Sequence, residues 1–61
     1  VPIVQITLVE GRAAEKVENC IREVARTVAE TLEAPIGTVR VVVHEVEPSR
    51  FAVGDTLKSD S

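Results

Sequence analysis

The apolar residues of this chain change their spacing twice, from every second position to every third or fourth and back again, and few folds admit that order. In residues 3–9, IVQITLV, Val4, Ile6 and Leu8 fall on one face while Gln5 and Thr7 dilute the other, which is the pattern of a half-buried strand. Glu10-Gly11 closes the run with a turn signal. Val17, Cys20, Ile21, Val24, Ala25, Val28, Ala29 and Leu32 then follow the i, i+3, i+4, i+7 spacing of an amphipathic helix, predicted over 13–33. Charged residues fill its other positions, and the Glu18–Arg22 pair adds only about 0.2–0.5 kcal/mol. Pro35 ends the helix, because its ring pushes Ala34 out of helical geometry. Residues 38–46, TVRVVVHEV, return to strand alternation, with Val39, Val41 and Val43 opposite Arg40, Val42 and His44. Strand, helix and strand in this order make a β-α-β unit with parallel strands and a right-handed crossover. Residues 47–61, with Pro48, Gly54 and the lone Phe51, read as a loop or short hairpin fraying after Leu57.

All of this forms one domain, residues 1–61, and that domain is small for its task. A chain of this length buries only about 60% of the surface its unfolded form exposes. The usual remedies are disulfides, a metal or oligomerisation. One cysteine excludes an internal disulfide, and one His with one Cys cannot build a structural zinc site. Assembly remains, and the open strand edges invite pairing with another copy.

The formal charge of −3 argues against nucleic acid, whose phosphates call for clustered Lys and Arg. A single aromatic residue, Phe51, offers no base-stacking platform. No apolar run approaches the roughly 20 residues of a membrane helix, so no membrane partner is expected. The single unpaired cysteine fits a reducing compartment, with the cytoplasm as the default.

The chemical inventory is short. There is no Tyr, no phosphate-cradling Gly loop and no metal-ligand cluster, so no cofactor is expected. Pro2, Arg12, Arg40, His44 and scattered carboxylates are what the chain offers. The start PIVQITLVEGR, the helix ENCIREVARTVAETL, the segment EAPIGTVRVVVHEV and the tail SRFAVG together resemble the 4-oxalocrotonate tautomerase family. The likeness runs without gaps from Pro2 to Phe51. It combines a near-terminal Pro, Gly-Arg after the first strand, Ala-Pro after the helix, Val-Arg-Val in the second strand and the late Phe.

That resemblance implies an α+β fold in which β-α-β units pair into four-stranded sheets in a dimer and assemble as a hexamer, a trimer of dimers. It implies an isomerase of aromatic catabolism that catalyses a 1,3-proton shift in unsaturated 2-hydroxy or 2-oxo dicarboxylates such as 2-hydroxymuconate. Pro2 matches the amino-terminal proline that acts as general base. A free α-amino group starts with a pKa of about 7.7–8.0, close to where a base works best. Arg12 matches the arginine that holds a substrate carboxylate. Arg40 matches the arginine, supplied by a neighbouring subunit, that engages the 2-oxygen and the nearer carboxylate. Phe51 and Val9 match apolar substrate-binding positions. Arginine suits these tasks because its planar fork binds carboxylate bidentately and stays charged.

Each of these residues also has a plain structural reading. Pro2 could simply begin a strand, Arg12 be a solvated turn charge, Arg40 meet a partner carboxylate, and Phe51 pack at an interface. Cys20 lies on the apolar stripe and is expected in the core; His44 is expected at an edge or interface.

One departure from the family's pattern matters. Val1 precedes Pro2. A prolyl nitrogen bonded to Val1 is a tertiary amide without a basic lone pair. Three readings follow: Val1 is trimmed, the Val1 amine acts as a displaced base, or the chain is a non-catalytic, arginine-donating subunit of a hetero-hexamer. A hydratase or dehalogenase relative is a further alternative, although no residue here matches the carboxylate that would activate water.

Overall fold

In a computed structural model, residues 1–60 are described. Strands β1 (Ile3–Val9) and β2 (Arg40–Val46) lie side by side and parallel, with Ile3 opposite Arg40 and Val9 opposite Val46. Helix α1 (Ala14–Leu32) makes the crossover between them and packs against β2. Val4, Ile6, Leu8, Val41 and Val43 are half-buried, whereas Ile3, Gln5, Thr7, Arg40, Val42 and His44 are exposed. The alternation separates a helix-covered face from an open outer face, as the pleat of a strand requires.

The helix occupies one residue fewer at each end than 13–33. Ala13 is extended, with φ −61° and ψ 139° and no side-chain cap. At the other end Glu33 adopts the left-handed conformation, with φ 53° and ψ 44°. Its N–H donates to the Glu30 carbonyl at 3.3 Å, and the Ala34 N–H donates to the Ala29 carbonyl at 2.9 Å. This pair of bonds is a Schellman closure, so the helix stops before Pro35 acts on it. The ion pair on the solvated face joins Arg26 to Glu23 at 2.6 Å.

The second strand begins at Arg40 rather than at residue 38, because Ile36–Thr38 form a 3-10 turn. The Thr38 N–H and hydroxyl both donate to the Pro35 carbonyl, at 2.9 and 2.6 Å. Beyond β2, Pro48–Arg50 form another 3-10 turn, and β3 (Ala52–Val53) pairs antiparallel with β4 (Thr56–Leu57). Gly54, with φ 64°, supplies the left-handed residue of that hairpin. The chain does not fray at Leu57. Lys58–Asp60 form a 3-10 turn in which the Asp60 carboxylate accepts the Leu57 N–H at 3.0 Å, and the Lys58 N–H donates to the Phe51 carbonyl at 2.8 Å. Ser61 lies outside the described residues.

Burial within one chain is slight. Val17, 8% exposed, is the one buried residue among those described, while Ile3 is 64% exposed and Leu32 63%. Cys20, expected in the core, is exposed, because it sits on the flank of the apolar stripe rather than against the sheet. The radius of gyration is 14.4 Å, against about 10.5 Å for a compact domain of this length. Ordering each residue costs roughly 1–2 kcal/mol of backbone entropy. One buried side chain cannot offset that cost, so the fold depends on apolar surface being covered by other chains.

Candidate active site

Pro2 is half-buried at the amino end of the sheet, and its carbonyl accepts the Arg40 N–H at 2.9 Å. Proline has no N–H to lose at a strand start, so β1 begins there without an orphaned donor. Val1, 85% exposed, is bonded to the prolyl nitrogen. Arg40 opens β2 on the outer sheet face, where its Nη1 donates to the Gly37 carbonyl at 2.8 Å. That single bond fixes the guanidinium near the strand start and leaves its other N–H groups for an acceptor outside the chain.

The remaining family-matched residues stand at the opposite end. The Glu10 N–H still bonds to the Val46 carbonyl at 2.9 Å, and the chain then turns at Gly11, whose φ of 134° favours glycine. Arg12 emerges from this turn and donates from Nη1 to the Val9 carbonyl at 3.2 Å. Val9 is half-buried, and Phe51, 38% exposed, follows the Pro48–Arg50 turn beyond β2. Because β1 and β2 are parallel, Arg12 and Phe51 leave the sheet at the same end.

The structure therefore brings Pro2 close to the Arg40 backbone, and Arg12 close to Val9, but keeps the two groups apart. Seven strand steps separate Pro2 from Val9, about 23 Å at 3.3 Å per residue. No small acid spans that distance. His44 is exposed on the outer face opposite Thr7. An apolar groove of about 280 Å³ lies elsewhere, on the helix between Cys20, Glu23, Val24, Thr27 and Val28, and contains none of the matched residues. Among the described residues no group of three or more His, Cys, Asp or Glu is placed to hold a metal ion. No helix among them is long and apolar enough to cross a membrane.

Comparison with known proteins agrees with this arrangement of elements. The family model described as "Tautomerase enzyme" matches residues 2–61. A 2-hydroxymuconate tautomerase of Pseudomonas putida is 41% identical over 58 residues, covering 95% of this chain and 92% of the relative. A heterohexamer 4-oxalocrotonate tautomerase from Chloroflexus aurantiacus superposes with a TM-score of 0.92 at 27% identity, over 98% of this chain and 97% of that one. A 4-oxalocrotonate tautomerase homologue in the tomaymycin biosynthetic pathway gives the same TM-score at 34% identity, over 97% of this chain and 91% of its own. A strand-helix-strand unit with parallel strands, a family model matched from Pro2 onward and relatives of nearly equal length lead to one assignment: this chain belongs to the tautomerase family, among the 4-oxalocrotonate tautomerases.

Proposed function

We propose that this chain is a subunit of an oligomeric isomerase catalysing a 1,3-proton shift in an unsaturated 2-hydroxy or 2-oxo dicarboxylate of the 2-hydroxymuconate type. One observation carries the reading: the matched residues are divided between the two ends of one sheet, about 23 Å apart. A two-fold, antiparallel pairing of copies sets the amino end of one against the carboxyl end of the other, and an isologous interface makes two such junctions at once. Pro2 then meets the Val9, Arg12 and Phe51 of a second copy. Arg40, on the open outer face, engages ligand at its own junction or that of a third copy. We assign the oligomer as a hexamer built from three such pairs; a heterohexamer is the state named for the Chloroflexus aurantiacus relative.

In this site a free Pro2 nitrogen takes the proton of the 2-hydroxyl in a dienol such as 2-hydroxymuconate, or a proton from the carbon beside the carbonyl in a 2-oxo isomer. Negative charge builds on the 2-oxygen, where the Arg40 guanidinium stabilises it. The prolyl ammonium then gives the proton to a carbon of the conjugated chain as the double bond moves. Arg12 holds the distant carboxylate through its planar fork. Phe51 and Val9 cover the apolar carbons and keep water out, which strengthens both charge contacts.

This chemistry needs the prolyl nitrogen free of Val1. The test compares protein beginning at Pro2 with protein whose intact mass includes Val1, each followed by the ketonisation of 2-hydroxymuconate. The first should turn over, and the second should be slower by about 10²–10⁴, the usual worth of a positioned general base. Equal rates would exclude Pro2 as the base. A second reading draws on Val1 itself: with it retained, the chain serves as an arginine donor in a mixed assembly, and a heterohexamer is the state named for the Chloroflexus aurantiacus relative. Silence of the Pro2-first protein alone, with activity only after a second chain type is added, would favour that reading.

A further inference from the structure

Arg50 stands at the same end of the sheet as Val9, Arg12 and Phe51, on a backbone fixed from both sides. Its N–H closes the Pro48–Arg50 turn on the Glu47 carbonyl at 2.8 Å. The Phe51 carbonyl that follows is held by the Lys58 N–H at 2.8 Å. The guanidinium itself is exposed and weakly engaged: Nη1 reaches only the Ser49 carbonyl and hydroxyl, both at 3.3 Å. Glu47, Asp55 and Asp60 lie within ten positions, yet no ion pair to Arg50 forms among the described residues.

The cations at this end share one habit. Arg12 and Arg50, like Arg40 at the other end, lean on main-chain carbonyls rather than on the chain's ten acidic residues. A guanidinium with one N–H on a carbonyl keeps several donors for an anion. We propose that Arg50 is a specificity-determining residue: beside the Phe51 wall, it adds a second guanidinium for the distal carboxylate that Arg12 binds, and so selects dicarboxylates over monocarboxylates. This rests on the site proposed above. It extends that site by a residue whose chemistry, a cation at the rim of an apolar wall, fits an elongated dianion rather than a compact monoanion.

The test is calorimetric titration of the assembled protein with two unreactive probes, muconate as the dianion and sorbate as the monoanion of similar shape. The parent should bind muconate more tightly. In Arg50→Ala the preference for muconate over sorbate should fall about tenfold, the lower range for a hydrogen bond to a charged group. Arg50→Lys should restore part of it, since the charge returns without the fork. With 2-hydroxymuconate as substrate, Arg50→Ala should raise KM and leave kcat within about threefold. An unchanged preference in Arg50→Ala, or a parent that binds both probes alike, would overturn the assignment. Because binding needs no basic nitrogen, a parent beginning at Pro2 that selects muconate but does not turn over substrate would sink the Pro2 reading and leave Arg50 standing.

Discussion

The Arg40 N–H donates to the Pro2 carbonyl at 2.9 Å, so the first hydrogen bond of the parallel sheet joins the family's proline position to one of its arginine positions. A shift in strand register would break this bond and separate the two positions. The guanidinium of Arg40, by contrast, is exposed and anchored only to Gly37. Its removal should therefore change chemistry with little effect on folding.

Arg40→Ala should lower kcat by about 10²–10³, the loss seen when a donor to a developing oxyanion is removed. Arg12→Ala should act mainly on KM, by about 10–100-fold, because a carboxylate is bound in ground and transition states alike. Steady-state kinetics with 2-hydroxymuconate, alongside a mass measurement of the assembly, separates the two effects. If both substitutions leave kcat and KM unchanged, these arginines do not form the site.

Glu33→Gly should stabilise the protein by about 1 kcal/mol, because Glu33 holds a left-handed conformation that costs an L-residue roughly 1–2 kcal/mol. Part of that gain is returned through the larger unfolded-state freedom of glycine. Urea denaturation at fixed protein concentration measures it. A loss of stability would mean that the Glu33 side chain makes a contact in the assembly that outweighs the strain.

Gly11→Ala should have the opposite sign. Nothing lies within 4 Å of a Cβ added there, so the cost is backbone strain at φ 134°, about 1 kcal/mol or more. Arg12 follows directly, and relaxing the turn would displace its guanidinium from Val9. Reduced stability and a raised KM should appear together.

Unfolding should be coupled to dissociation, because one chain buries only Val17 among the described residues. The urea midpoint should rise with protein concentration, as mass action requires when association stabilises the folded state. Val42→Asp, which replaces an exposed apolar side chain of the open outer face by a charge, should lower that midpoint and the assembled mass. A midpoint independent of concentration would show that the chain is stable alone.

Period-reading located β1, α1 and β2 because each carries a long, clean apolar pattern. The limits of β1 agree with the pattern; those of α1 and the start of β2 differ from it. Thr38 and Val39 are β-branched and look like strand, but the Pro35 carbonyl captures Thr38 in a turn. The helix stops at Leu32 through a Glu in a position where glycine is usual, and no composition signal marks it. Cys20 has the spacing of the apolar stripe but not its burial, since a 3.6-residue period does not tell centre from flank. Asp60 orders the segment after Leu57 through one hydrogen bond invisible to periodicity. The candidate site was legible as residue types matched to a family. Its division between two ends of the sheet was implicit in β1, which runs between Pro2 and Arg12, but matching residue types to a family does not by itself give that distance.

That division is tested most directly by mixing two disabled chains. One begins at Pro2 and carries Arg12→Ala; the other keeps Arg12 but has its prolyl nitrogen blocked by Val1. Unfolded together, refolded and assayed with substrate well below KM, they should recover about a quarter of parental activity, since half the random pairs hold one intact junction of two. A mixture no more active than the two chains assayed separately would show that each site is built within a single chain.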